Sequence, residues 1–208
     1  MKARLLSLSV AVTLLSASCA SFLISPGSLA RSLPANGSVA EAGVGVIYDE
    51  KPENLGYFAN GYYGISLGEH WEIGFAPQFL YDIGEYTIFN SVNSVHGVVG
   101  SLMLAAKWDP VPHGEVFHII PFVGGAAFML NVGEGFQFIP LPVAGLDLLL
   151  DFGGFEAYLG AAMPTNPNFT TIAAGARADL GAGIQLSFEA GWGMPISPYV
   201  NAKIGTTF

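Results

Sequence analysis

Pro198-Tyr199-Val200-Asn201-Ala202-Lys203-Ile204-Gly205-Thr206-Thr207-Phe208 decides the fold. Counting back in twos from Phe208 gives Thr206, Ile204, Ala202, Val200 and Pro198, a face that is mostly apolar. The residues between are Thr207, Gly205, Lys203, Asn201 and Tyr199, a face that is small and polar. A period of two marks a β-strand with one greasy side and one wet side.

The same alternation recurs upstream. It is clearest in 71–82, where Trp71, Ile73, Phe75, Pro77, Phe79 and Tyr81 oppose Glu72, Gly74, Ala76, Gln78, Leu80 and Asp82. Segments 142–152, 154–163, 171–180 and 183–194 repeat it, and 39–48, 57–67, 95–108 and 116–130 carry it more weakly. With 198–208 this predicts about ten strands of the roughly 9–11 residues that cross a bilayer. Eight is the alternative count if two weaker segments are loop. The connections sort into a short set (68–70, 109–115, 153–154, 181–183) and a mostly longer set (49–56, 83–94, 131–141, 164–170, 195–197). Short turns alternating with longer loops is the pattern of barrels with periplasmic turns and external loops.

Composition agrees. The 208 residues are 51% hydrophobic and only 11% charged, with a net charge of −9 and 27 glycines. Mean hydropathy is +0.49, yet no later segment is a long charge-free apolar run. Beyond the first thirty residues the only basic residues are Arg31, Lys51, Lys107, Arg177 and Lys203. That excludes a basic surface for a phosphate backbone, so no nucleic-acid partner is expected.

The amino terminus reads as an export signal. Lys2 and Arg4 precede an apolar stretch from Leu5 to Ile24, and Ser28-Leu29-Ala30 offers a small-x-small cleavage site. Residues 1–30 are therefore expected to be the signal and 31–208 the barrel. Cleavage after Ala20, with Ser18 at −3, is an alternative, and Cys19 sits in a loose lipobox. One cysteine permits no internal disulfide.

Which face is outside follows from three observations. The more polar face holds Gly, Ala, Ser and single charges, a poor solvent surface. Aromatics gather at strand ends on the apolar face: Trp71, Trp108, Phe117, Phe152, Phe155 and Phe208 beside short turns, and Tyr48, Tyr57, Tyr81 and Trp192 toward longer loops. Two such groups are expected to form interfacial belts. The export signal agrees. In hydrocarbon an open sheet edge would leave backbone groups unpaired, so the sheet must close. The expected fold is all-β, a closed antiparallel transmembrane up-and-down barrel.

Inward positions then separate by height. Glu41, Glu72, Lys107, His118, Asp147, Asp151, Glu156, Arg177 and Asp179 fall in the half nearest the short turns, with Glu189 and Lys203 near mid-height. A polar network bridged by Arg177 and Lys107 is expected there, since unpaired charges in a narrow lumen are costly. In the other half, Phe58, Tyr62, Leu80, Val99, Phe128 and Val143 form a candidate apolar pocket that opens outward.

Pro121-Phe122-Val123-Gly124-Gly125-Ala126 and the terminal Phe208 carry a family likeness. In these residues the chain resembles the small outer-membrane barrels of the OmpA/OmpX/OmpW group. The resemblance implies that Phe208 is an assembly signal read by outer-membrane assembly machinery. It implies membrane lipids as surroundings and placement in the outer membrane of a diderm bacterium. In the OmpW branch, an apolar pocket above a polar floor implies uptake of small hydrophobic molecules.

Catalytic signals are thin. Gly64-Ile65-Ser66-Leu67-Gly68 fits a nucleophile-elbow pattern, but a strand follows it where a helix is required. His70, His113 and His118 lack metal-ligand spacing. The expectation is a monomeric barrel with no cofactor and no metal, passing or binding a small solute. A surface-display barrel acting through loops 49–56, 83–94 and 131–141 is the main rival. A rim hydrolase using Asp82, Glu85 and His96 is the second.

Overall fold

The computed structural model describes residues 26–48, 55–82, 86–88, 91–93, 98–131, 136–165, 170–193 and 197–208. After a 3-10 turn at Pro26–Ser28 come β1 (Ser38–Tyr48), β2 (Leu55–Ser66), β3 (Trp71–Asp82), β4 (Tyr86–Ile88), β5 (Ser91–Asn93) and β6 (Val98–Trp108). They are followed by β7 (Phe117–Asn131), β8 (Phe136–Asp151), β9 (Phe155–Pro164), β10 (Thr171–Gly181), β11 (Ile184–Gly193) and β12 (Ser197–Thr207). Ten of these close into one antiparallel up-and-down barrel in the order β1-β12-β11-β10-β9-β8-β7-β6-β3-β2. The alternative of eight strands is excluded by this order.

Closure is made at the chain's two end strands. β1 pairs with β12 from Val39↔Thr207 to Ile47↔Tyr199. At the seam's end Ser38 N donates to Phe208 O (2.8 Å) and Phe208 N to Ser38 O (3.0 Å). The seam between β1 and β12 is thereby paired, as a hydrocarbon surround demands of a closed barrel.

The faces sort by chemistry. Leu104, Leu159, Phe188 and Ile204 point outward and are exposed, while Glu41, Lys107, Asp147, Arg177 and Lys203 point inward and are buried. Aromatic side chains ring both ends of the outer wall. Trp71, Trp108, Phe117, Phe152, Phe155 and Phe208 stand at the short-turn end, and Tyr48, Tyr57 and Trp192 at the other, all exposed. Trp71 and Trp108 form a cross-strand pair with centroids 6.4 Å apart.

The short turns depend on glycine. In the β8–β9 turn Gly153 has φ 70° and Gly154 φ 132°, a region closed to most L-residues. Asp151 Oδ1 accepts from Gly153 N (2.7 Å), and Asp179 does the same for Gly181 N in the β10–β11 turn (2.7 Å). These two acids serve the turns.

Two expected external loops are partly strand. Within 83–94, β4 and β5 form a separate hairpin, pairing Tyr86↔Asn93 through Ile88↔Ser91. Segment 131–141 is mostly β8, which pairs with β7 as far as Asn131↔Phe136. Pro140 and Pro142 both lie in β8, although proline has no N–H to give a ladder. The structure accommodates them with their backbone groups on the β9 side. β9 pairs with β8 only from Val143↔Pro164 downward, and Pro142 O accepts from Thr165 N at 3.0 Å. The backbone groups of Pro142, and of Pro140 two residues earlier, thus face away from β7, where the ring removes no β7–β8 bond.

Candidate functional site

The segment before β1 lies inside the barrel. Pro26 through Leu33 are all buried. Leu29 N donates to Pro26 O (2.8 Å) and Arg31 N to Leu29 O (2.8 Å), a tight local path. Asn36, at φ 61°, and Gly37 then turn the chain into β1. Pro26 rests against Gly160 beside Asp147, and Gly27 lies between Glu189 and Tyr158. The segment therefore descends from mid-height to the short-turn mouth.

Wall cations grip the segment's backbone. Lys107 Nζ donates to Leu29 O (2.9 Å) and Arg31 O (2.7 Å). Arg177 Nη1 reaches Ala30 O (3.2 Å) and its Nη2 reaches Gly27 O (3.0 Å). Lys203 Nζ donates to Ser28 Oγ (2.9 Å). Charge-assisted bonds of this kind are about twice as strong as neutral ones.

Carboxylates complete the floor. Arg31 pairs with Glu41, which also lies 3.4 Å from Arg177 Nε. Arg177 pairs with Glu156 and stacks over Tyr158, 5.6 Å from the ring centroid. Lys107 Nζ meets Glu72 Oε2 at 2.7 Å, and Lys203 Nζ meets Glu189 Oε2 at 3.3 Å. Tyr62 donates to Glu72, and Tyr199 donates to Glu189 at 2.9 Å. Asp147 is wholly buried, and neither of its oxygens has a hydrogen-bond partner among the described residues.

The sequence-assigned residues thus divide. Glu41, Glu72, Lys107, Glu156, Arg177, Glu189 and Lys203 meet in the network. Asp151 and Asp179 sit in the turns instead. His118 lies at the rim, with Nδ1 2.9 Å from Asp109 Oδ2 and Nε2 2.8 Å from Glu115 O, and so fastens the β6–β7 connection.

Of the apolar set, Phe58 and Leu80 pack with Ile47, Ala173 and Tyr199. Phe58 meets Tyr199 edge-on, centroids 6.0 Å apart. Val143 joins Met103, Phe122, Ala126 and Ala162 in a second cluster that includes Leu29 and Leu33 of the internal segment. Tyr62 sits lower than expected, opposite Glu41 on the neighbouring strand. The side chains of Val99, Phe128, Asp82, Glu85 and His96 lie outside the described residues, as do Cys19 and residues 49–54.

Sequence reasoning missed Arg31, Ser28 and the carbonyls of Gly27, Leu29 and Ala30. No periodicity marks a segment that docks inside a barrel. One signal was present: the inward carboxylates outnumbered the inward cations, and Arg31 is the nearest cation before β1.

A separate apolar trough of about 1150 Å³ lies on the outer wall. Val44, Ala59, Phe79, Phe188 and Ala202 line it. On the inner face of the same wall, Gly45 and Gly175 let the Phe58 and Tyr158 rings lie against the backbone.

No protein-family model matches the chain, and no curated protein matches it in sequence. Solved structures do resemble it. The COG4313 outer membrane channel from Pseudomonas putida F1 superposes with a TM-score of 0.50 at 11% identity, over 89% of this chain and 100% of that one. This chain has the fold of the outer-membrane β-barrels. The N-terminal β-barrel domain of Pseudomonas aeruginosa OprF gives a TM-score of 0.44 at 14% identity, over 85% of this chain and 100% of that one. Neisserial surface protein A gives 0.36 at 10% identity, over 83% and 96%.

Proposed function

We propose that this chain is a monomeric outer-membrane barrel of a diderm bacterium that passively binds or conducts a small, apolar solute. An amino-terminal signal exports it, and the outer-membrane assembly machinery inserts it. The supporting observation is the division of the inner wall. Ile47, Phe58, Leu80, Ala173 and Val143 give the outer half an apolar lining, and an ionised floor lies beneath it. An apolar body gains about 25 cal/mol for each Å² it buries against such a lining. A charged solute would lose its hydration there without a partner. The lumen, not a catalytic group, does the work.

The experiment is flux into vesicles with a lipopolysaccharide outer leaflet, a barrier that resists apolar solutes. Small apolar solutes should enter protein-containing vesicles faster than empty ones, and sugars should not. Equal rates with and without protein overturn the reading.

One observation favours a surface-display role instead. Residues 136–142 of β8 have β7 as their barrel partner and extend beyond the last β9 pair at Val143. A strand that runs past its neighbour's last pair is the kind that pairs with an extended partner. Absence of flux together with capture of an extended peptide by this strand would favour it.

A further inference from the structure

We infer that Pro26–Leu33 belongs to the mature protein and is an internal plug that closes the short-turn half of the barrel. A cut after Ala30 would divide this segment through its middle. It would remove the carbonyls of Gly27, Leu29 and Ala30 and the Ser28 hydroxyl. Lys107, Arg177 and Lys203 donate to those four groups. It would also take Leu29 out of the cluster with Met103 and Phe122, and Ala30 out of the cluster with Ile120, Leu149 and Tyr158. The folded barrel would lose all of these built-in contacts at once. Cleavage after Ala20, where Ser18 and Ala20 supply the small residues, leaves the whole segment in place.

The plug also sets the lumen's charge. Among the described residues of the wall network, Glu41, Glu72, Asp147, Glu156 and Glu189 stand with Lys107, Arg177 and Lys203; Arg31 of the plug is the fourth cation. Withdrawing the segment takes that cation away and opens a lumen with excess negative charge. The open barrel therefore prefers cations to anions.

Gly27 offers a way to unseat the plug without altering the wall. A Cβ there would lie 2.6 Å from the Tyr158 hydroxyl and closer still to the Glu189 carboxylate. Gly27→Leu therefore does not fit the seat. Leu29→Asp is a second, independent way, because it puts a carboxylate among Tyr62, Phe122 and Leu33.

Three readouts test the plug. First, the intact mass of protein extracted from membranes should correspond to an amino terminus upstream of Pro26; a mass beginning at Arg31 overturns the inference. Second, a cysteine placed by Ser32→Cys, a buried position, should resist a membrane-impermeant maleimide. It should become labelled when Gly27→Leu or Leu29→Asp is added, and equal labelling with and without them overturns the seat. Third, in planar bilayers either plug variant should conduct severalfold more than the wild type, with a reversal potential showing cation preference. Unchanged conductance in both variants, while they still migrate as heat-modifiable folded barrels, overturns the closure. Mass, labelling and ionic conductance do not depend on the solute's chemistry. Failure of apolar flux thus leaves the plug standing, and failure here leaves the apolar reading to its own assay.

Discussion

Lys107→Met is the sharpest test of how the floor is held. The Lys107 ammonium has three partners: Glu72 at 2.7 Å, Leu29 O at 2.9 Å and Arg31 O at 2.7 Å. Its side chain is 2% exposed and that of Glu72 is 5%. Methionine keeps the length of the stem but removes the charge and all three donors. Glu72 would then keep, among the described residues, only the Tyr62 hydroxyl as a partner, and two carbonyls of the plug would lose their donor. Removing one member of a buried pair costs about 3–5 kcal/mol, because the other charge stays buried and uncompensated. Replacing Glu72 with Gln in the same chain removes that stranded charge, so the double variant should recover about 2 kcal/mol, within the usual coupling range. The assay is a urea titration of barrels refolded in phospholipid vesicles, followed by heat-modifiability. A single variant within about 1 kcal/mol of the wild type would mean the pair behaves as an exposed one. A double variant no more stable than the single would mean the two side chains are not coupled. Either result refutes the enclosed floor.

Three further outcomes are expected. Leu159→Arg, exposed on the outer wall midway along β9, should destabilise the barrel by about 2–4 kcal/mol in vesicles if that wall meets lipid; wild-type stability in the same titration would place the face in water. Gly153→Ala should cost about 1–2 kcal/mol from its φ of 70° alone, because a Cβ there has nothing within 4 Å, and an unchanged midpoint would contradict the turn. Deleting Phe208 removes two backbone bonds to Ser38 at the seam, so folded barrel should accumulate more slowly in cells; normal insertion would deny Phe208 a part in assembly.

The wall was legible because it repeats. An inward Glu72 between outward Trp71 and Ile73 carries its orientation in its neighbours, and ten such segments at barrel-spanning length leave little choice of fold. The aromatic belts were legible for the same reason. Depth was harder. Tyr62 and Phe58 share a face of β2, and alternation alone does not say which joins the ions. The register does, since Tyr62 lies opposite Glu41 and Phe58 opposite Gly45. The extension of β8 back to Phe136 was not legible, since residues 131–141 carry no clean alternation and Pro140 and Pro142 interrupt them. The internal segment was least legible. It has no period, its small residues read as a cleavage site, and its chief contacts run through backbone carbonyls that any sequence would supply.

That last property bears on how the plug is bound. Its wall partners are Lys107, Arg177 and Lys203, and most of the atoms they hold are main-chain oxygens. Water satisfies both sides of those bonds if the segment leaves, so their net contribution is far smaller than their strength in place. Arg31 and Glu41 likewise regain hydration when they part, and a buried ion pair is weak evidence for stability because of that loss. The apolar share, chiefly Leu29, Leu33 and Ala30, is modest. The apolar lining above the floor differs. Phe58 and Tyr199 belong to wall strands and are held by backbone ladders on both sides. The lining of the outer half is thus fixed to the wall, and the plug is the exchangeable part of the lumen. An apolar plug of the same length would bind more tightly and be harder to withdraw, so the ionised floor is the feature that keeps the closure reversible.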